Sequence, residues 1–348
     1  MTPDSSRASA DHGRQQAPAL WITWEHHRRS RELSRALSIE LCEMTSYRAR
    51  AMRYIALMRR TTTLLMRRRP SVVVTQCPST VLGLVAAMLK PLLRFTFVVD
   101  LHNAAIDPSL ANSVHRKLLA FIRRTADLCI VSNRNLVAAV ERDGGKAFVL
   151  PDKLPDLRPQ AQVSAPATRS VVFVCTYARD EPWREVIEAS RLIDPRVTVF
   201  VTGDDSRVQS LPPRPDNVYL TGFLSERDYV ALLNAADVIV DLTCLEDCLV
   251  CGAYEAASLG KALVTSDTAA LREYFHRGTV YTAHDRASLA AAMTYALEHA
   301  DRLAADMSAL RTELTRDWNR QHGALRRVLH LDAGGDATSS LVPVSMQR

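Results

Sequence analysis

Short apolar runs rich in β-branched residues alternate along the chain with longer stretches whose apolar residues recur every three or four positions. ALWITW (19–24), PSVVVTQ (70–76), FTFVVD (95–100), DLCIVS (127–132) and KAFVLP (146–151) read as buried strands. Between them EHHRRSRELSRALS (25–38), residues 47–69, STVLGLVAAML (79–89), residues 113–124 and NLVAAVERDGG (135–145) read as helices, the last ended by its glycines.

The pattern stops at residues 151–169, which hold four prolines and no periodicity, and then restarts. SVVFVCT, VTVFVTG, VYLTGF, DVIVDLT and ALVTSD read as strands. EVIEASRLI, ERDYVALLNAA, CGAYEAASLG and one or two helices over 287–318 lie between and after them. Strands alternating with helices imply parallel sheets with helices on both faces. The expected architecture is therefore α/β: two doubly wound, Rossmann-like parallel-sheet domains facing across a cleft. The expected boundaries are a flexible tail over 1–17, a first domain over 18–150, a linker over 151–169 and a second domain over 170–318. A helix over 319–331 would cross back to the first domain, and 332–348 would form a second flexible tail.

Composition narrows the function. The 348 residues are 47% hydrophobic and 24% charged, as in a globular protein with full cores. The polar start does not read as a secretion signal, and seven scattered cysteines read as reduced thiols, so a cytoplasmic protein is expected. The most apolar stretch, residues 81–99, is broken by Lys90, Pro91 and Arg94, so no membrane-spanning helix is expected. Charge is uneven. Residues 1–150 carry 23 Lys and Arg against 11 Asp and Glu, a net +12, whereas the remainder is −6. Within the basic half, Arg53, Arg59, Arg60, Arg67, Arg68 and Arg69 surround apolar residues of the 47–69 helix. That combination suits docking on an anionic membrane surface, with an ordinary arginine-rich surface helix as the alternative. Nucleic acid is not the expected partner: no binding module is recognisable, and aromatic residues are only 6%.

Candidate chemistry concentrates in EDCLVCGAYEAASLGKALVTSD (246–267). Cys248 and Cys251 have zinc-knuckle spacing, but no second pair follows at a useful distance. A redox pair is conceivable, though the loop is acidic rather than basic. A ligand floor fits better. A helix starting near Gly252 offers free amides to a diphosphate. Glu255 could accept from ribose hydroxyls or serve only the helix dipole. Asp247, eight residues earlier, could reach a sugar hydroxyl or stand as a solvated loop acid.

Asp247-x7-Glu255 followed by AASLGKALVTSD resembles the E-x7-E segment of GT-B-fold glycosyltransferases, above all the retaining family 4. VYLTGFLSERDYVALLNAADVIVDLT and ADLCIVSNRNLVAAVERDGGKAFVLPDKLPD resemble flanking segments of the same enzymes. FVVDLHNAA, with Asp100, His102 and Asn103, and CTYARDEPW resemble the inverting mannosyltransferase that elongates lipid-linked chitobiose. The first acid here is Asp rather than Glu. The usual Gly-Phe-Gly is Cys248, Leu249 and Val250, and the Arg/Lys pair that grips the donor diphosphate is missing, leaving Arg179 as the nearby cation.

The resemblance implies a glycosyltransferase with a nucleotide-sugar donor, a lipid-linked or saccharide acceptor, no metal and no other cofactor. It implies catalytic roles for His102 and Asp247. It implies donor contacts from Glu255, Cys251, Gly252, Phe223, Leu224, Thr176, Arg179 and Gly203. The place would be the cytoplasmic side, peripheral on the inner face of the membrane. Two rivals share the architecture: a UDP-sugar 2-epimerase-like isomerase, and a catalytically degenerate partner subunit.

Overall fold

The structure, a computed structural model, describes residues 17–47, 49–77, 79–101, 113–157, 168–208 and 212–331. Two six-stranded sheets form two lobes, and every strand pairing in both is parallel. The first lobe contains β1 (Ala19–Thr23), β2 (Glu40–Glu43), β3 (Val72–Cys77), β4 (Thr96–Leu101), β5 (Leu128–Val131) and β6 (Ala147–Val149). Their spatial order is β2-β1-β3-β4-β5-β6. The helices are α1 (Arg28–Leu37), α2 (Arg50–Arg68), α3 (Thr80–Leu93), α4 (Ser113–Thr125) and α5 (Val137–Arg142). Alternation along the strands explains why both faces are covered. Leu20, Ile22, Val73, Phe97 and Val99 point into one core, with Leu65 of α2 and Leu82 and Ala86 of α3. Trp21, Val72, Val74 and Val98 point into the other, with Leu33 and Leu37 of α1.

The second lobe repeats the plan with β7 (Ser170–Phe173), β8 (Thr198–Val201), β9 (Val218–Leu220), β10 (Val238–Asp241), β11 (Ala262–Ser266) and β12 (Thr279–Thr282). Their order is β12-β11-β10-β7-β8-β9. Val171, Phe173, Val199 and Val240 face α6 (Trp183–Ala189) and α10 (Arg286–Glu298). Val172, Ile239 and Leu263 face α7 (Glu226–Ala235), α8 (Cys251–Leu259) and α9 (Ala269–Tyr274). Two edge strands, β2 and β12, are additions to the strands expected from sequence.

One helix serves both lobes. α11 (Ala300–Val328) packs Met307, Leu310 and Leu314 into the second-lobe core. Further along, Trp318 and Leu325 join Trp21, Leu33 and Leu37 in the first. The Trp318 indole donates to the Pro151 carbonyl at 3.2 Å and stacks on His322 at 4.8 Å between centroids. Arg326 and His322 reach the carbonyls of Leu37 and Ala36 at the end of α1. Among the described residues no helix is long and apolar enough to cross a membrane.

Trp318 is 6% exposed and anchors α11 to the first lobe. Trp318→Ala is expected to lower the free energy of unfolding by about 3–5 kcal/mol, read from urea denaturation.

Candidate functional site

The strand orders locate the site. In the second sheet the chain starts in the middle at β7, runs outward through β8 and β9, then returns to the other side of β7 at β10. Loops leaving the carboxyl ends of β7 and β10 therefore diverge and leave a crevice, the place where open α/β sheets bind ligands. The first sheet has its own switch between β1 and β3.

The loop after β7 is organised by one carboxylate. Glu181 accepts from the Thr176 amide at 2.8 Å, the Thr176 hydroxyl at 2.7 Å and the Ala178 amide at 3.0 Å. This tight wrap puts Tyr177 in the left-handed region, at φ 58°. Arg179 follows, exposed. Asp180 ties the loop across the crevice: its side chain accepts from the Thr243 hydroxyl at 3.0 Å and its carbonyl from the Cys244 amide at 2.7 Å. Gly203, after β8, has φ 99°, and a Cβ there would stand 2.3 Å from the Cys175 carbonyl. Only glycine permits that approach.

The start of α8 is already engaged. Asp241, the last residue of β10, is buried and accepts from the Gly252 amide at 2.5 Å. A Cβ on Gly252 would meet that carboxylate at 2.7 Å. Burial pushes the Asp241 carboxyl well above the usual range, against the stabilising amide of Gly252, and Glu255 and Glu181 add to the rise. Glu255 is the fifth residue of α8 rather than part of its first turn, because the helix begins at Cys251. It is 4% exposed. Tyr229 of α7 donates to its Oε2 at 2.5 Å, and Arg28 of α1, from the other lobe, lies 3.4 Å from its Oε1. Burial raises its pKa, opposed by Tyr229 and Arg28.

Three further contacts bring the lobes together beside it. Asn133, after β5, donates to the Asp247 carbonyl at 2.9 Å. The Asp152 amide donates to the Tyr254 hydroxyl at 3.3 Å. Ser258 donates to the Pro155 carbonyl at 2.5 Å. Behind them Arg29 is buried, its guanidinium bound by Asp100 at 3.0 Å, Asp152 at 2.5 Å and the Leu150 carbonyl at 2.8 Å.

Residues 179–327 match a family model described as glycosyl transferase-like. Among solved structures the chain is similar to HepE of Anabaena in complex with UDP-glucose. There 14% of residues are identical, 90% of this chain and 100% of that one are covered, and the TM-score is 0.70. Sucrose-phosphate synthase from Thermosynechococcus elongatus gives 15% identity, 91% and 100% coverage, and a TM-score of 0.72. MnaA of S. aureus, in a structure with UDP, gives 13%, 84% and 91%, and 0.58. No curated protein matches the chain in sequence. The fold is GT-B.

Within this GT-B frame Thr176, Arg179, Gly203, Phe223, Leu224, Asp247, Cys251 and Gly252 lie on loops or a helix start at the carboxyl edge of the second sheet, and Glu255 lies one turn into that helix. Phe223 is 89% exposed, and Asp247 turns its side chain to solvent while its carbonyl holds Asn133. His102 and Asn103 lie outside the described residues. Asp100 is fully buried against Arg29, which is a scaffolding position.

Neither Cys248 nor Cys251 forms a disulfide. No group of three or more His, Cys, Asp or Glu side chains that could hold a metal exists among the described residues. Although Cys251 reaches the surface, desolvation of its thiol and the carboxylates of Asp241, Asp152 and Glu255 push it up to about 12, the opposite of a reactive redox thiol.

Sequence reasoning missed Arg28, Tyr229 and Asp241. It also missed a polar cluster at the first lobe's switch, where Thr23 donates to the Gln76 carbonyl oxygen at 2.6 Å and the Gln76 amide donates to Glu25 at 2.9 Å. Only the basic run EHHRRSRE hinted at it.

Because the folded-state pKa of Asp241 is raised, its protonated form favours the fold. That stabilisation is complete below about pH 4, the unfolded value, and is lost as pH rises through the folded value. Asp241→Asn keeps an oxygen for Gly252 and removes the titration. Its stability relative to wild type is expected to increase between pH 4.5 and pH 8, measured by urea unfolding at each pH.

Proposed function

We propose that the protein is a glycosyltransferase that moves a sugar from a nucleotide-sugar donor to a lipid-linked or surface-polysaccharide acceptor, without a metal. The reading rests on one observation above others. The segment matching the glycosyl transferase-like family supplies the loops after β8 to β11, at the second sheet's switch point, and its Glu255 faces the first lobe there. HepE, the structural relative described above, was solved with UDP-glucose, which favours a nucleoside diphosphate sugar as the ligand class.

In this reading the crevice between β7 and β10 takes the donor. Phe223 and Leu224 frame the base, and Glu255, freed toward the cleft, accepts from the ribose. Asp247, exposed at the cleft rim, orients the sugar. Thr176, Arg179, Gly203 and the backbone at Cys251 and Gly252 border the diphosphate, although the Gly252 amide is held by Asp241. Transfer needs the leaving diphosphate neutralised and the acceptor hydroxyl aligned and deprotonated. His102 is our candidate for the acceptor side. An isomerase would use the same donor crevice and need no acceptor, so product analysis with and without acceptor separates the two. A degenerate subunit would bind no donor.

A lipid-linked acceptor requires the enzyme at a membrane, and α2 offers a surface for it. Met52, Ile55, Met58 and Met66 are 40–53% exposed, and Arg53, Arg59, Arg60, Arg67, Arg68 and Arg69 are exposed among them. Arg68 is shared with Glu40 at 2.5 Å. Apolar residues within a basic helix fit an anionic leaflet.

Two outcomes test the reading. Glu255→Ala is expected to weaken binding of UDP or GDP by about tenfold or more, through loss of a hydrogen bond to a charged group; unchanged calorimetric affinity in the folded variant removes Glu255 from the site. Arg59→Glu/Arg60→Glu/Arg67→Glu is expected to weaken flotation with anionic vesicles by about 100-fold or more, at about 1 kcal/mol per basic residue removed. Equal flotation of wild type with neutral and anionic vesicles rejects the docking surface.

A further inference from the structure

The donor reading leaves one charge unanswered, and the structure assigns a residue to it. A nucleoside diphosphate brings two or more negative charges into the crevice. The rim of the second sheet is itself acidic: Asp180 and Glu181 follow β7, Asp204 and Asp205 follow β8, and Glu246 and Asp247 follow β10. The Gly252 amide at the start of α8 is held by the buried Asp241 carboxylate. The second lobe therefore presents mostly acids where an anion would have to sit.

The first lobe presents the opposite charge. Arg28 is half exposed and extends across the cleft to Glu255. Two features mark it as more than a structural ion pair. It is the first residue of α1, where the helix's own field disfavours a cation, and that first turn holds no acid. Its local compensation is Glu32, four residues on, whose Oε1 accepts from Nε at 3.0 Å. Its contact with Glu255 is 3.4 Å, well beyond the 2.7–2.9 Å of a tight charged pair. The next residue, Arg29, is buried and bound on three sides, so the backbone that carries Arg28 is fixed, while the Nη1 end of Arg28's own guanidinium makes only the long contact to Glu255.

We propose that Arg28 is the diphosphate-binding cation of the donor site, supplied by the opposite lobe. When the nucleotide enters, Arg28 exchanges its long contact with Glu255 for phosphate oxygens, and the Glu255 carboxylate turns to the ribose. The lobes are thus drawn together by the substrate's own charge, and the leaving diphosphate is neutralised by a forked donor suited to it. This rests on the nucleotide-sugar reading above.

The test is calorimetric titration of UDP and of GDP into wild type, Arg28→Gln and Arg28→Lys, at two or more salt concentrations, with unfolding midpoints as the control for folding. The expected result has three parts. Arg28→Gln lowers affinity for the nucleotide that wild type binds by about 10- to 100-fold. It also flattens the salt dependence of that affinity, and Arg28→Lys recovers part of both. An unchanged affinity in Arg28→Gln overturns the assignment and leaves the donor reading intact. So does an affinity loss with an unchanged salt dependence, which marks a purely structural role. If wild type binds neither UDP nor GDP, the donor reading fails and this inference with it.

Discussion

The arrangement of the cleft depends on a single buried cation. Arg29 sits at the start of α1 with its guanidinium divided among Asp100 at the end of β4, Asp152 after β6 and the Leu150 carbonyl. Desolvation works against the charge, and Asp100 and Asp152 more than offset it, so its pKa lies above the ordinary value. A buried pair of this kind adds little net stability over an apolar replacement, but losing one partner costs about 3–5 kcal/mol. What it provides is geometry. It welds the start of α1 to the segment where the chain leaves the first lobe, and that segment also holds Tyr254 and Ser258 of α8. The two helix starts that border the cleft are thereby set against each other.

α11 completes this constraint from the other side. Its first half belongs to the second-lobe core and its second half to the first. The chain thus crosses between lobes twice, at 151–157 and within α11, and the Trp318 indole bonds the first crossing at Pro151. The two crossings lie side by side, so a hinge motion of the lobes would turn about that line. Arg28 and Glu255 lie on elements of different lobes, so such a motion would change their separation.

Much of this was legible in the sequence, and what was not has physical reasons. Central strands such as SVVF and VIVD are buried on both faces, and each holds three consecutive apolar residues with one polar residue at one end. β2, ELCE, and β12, TVYT, are edge strands with half-covered faces; four residues of mixed polarity give no period to detect. The acids Asp247 and Glu255 stood out because they flank a strand-to-helix turn. Asp241 did not, since it ends an apolar strand and its meaning comes from the amide of Gly252, eleven residues on. Arg28 could not be told from its neighbours in HHRRSRE, because only the fold brings it to a residue 227 positions away.

The same reasoning bears on the uneven charge of the halves. In the two proposals above, a basic surface on α2 and Arg28 at the cleft would be different uses of the first lobe's excess, one diffuse and screened by salt, one focused by a low-dielectric wall. The acidic rim of the second lobe sharpens the second use. With acids crowding Arg179 on one side, a cation from the other side would strengthen the hold on an anionic ligand and couple its occupancy to lobe closure. A cleft that carried its own cations would hold the diphosphate open or closed. In the assignment proposed above the charge is split between lobes, and a bound nucleotide would add a further bridge to the contacts that already join them.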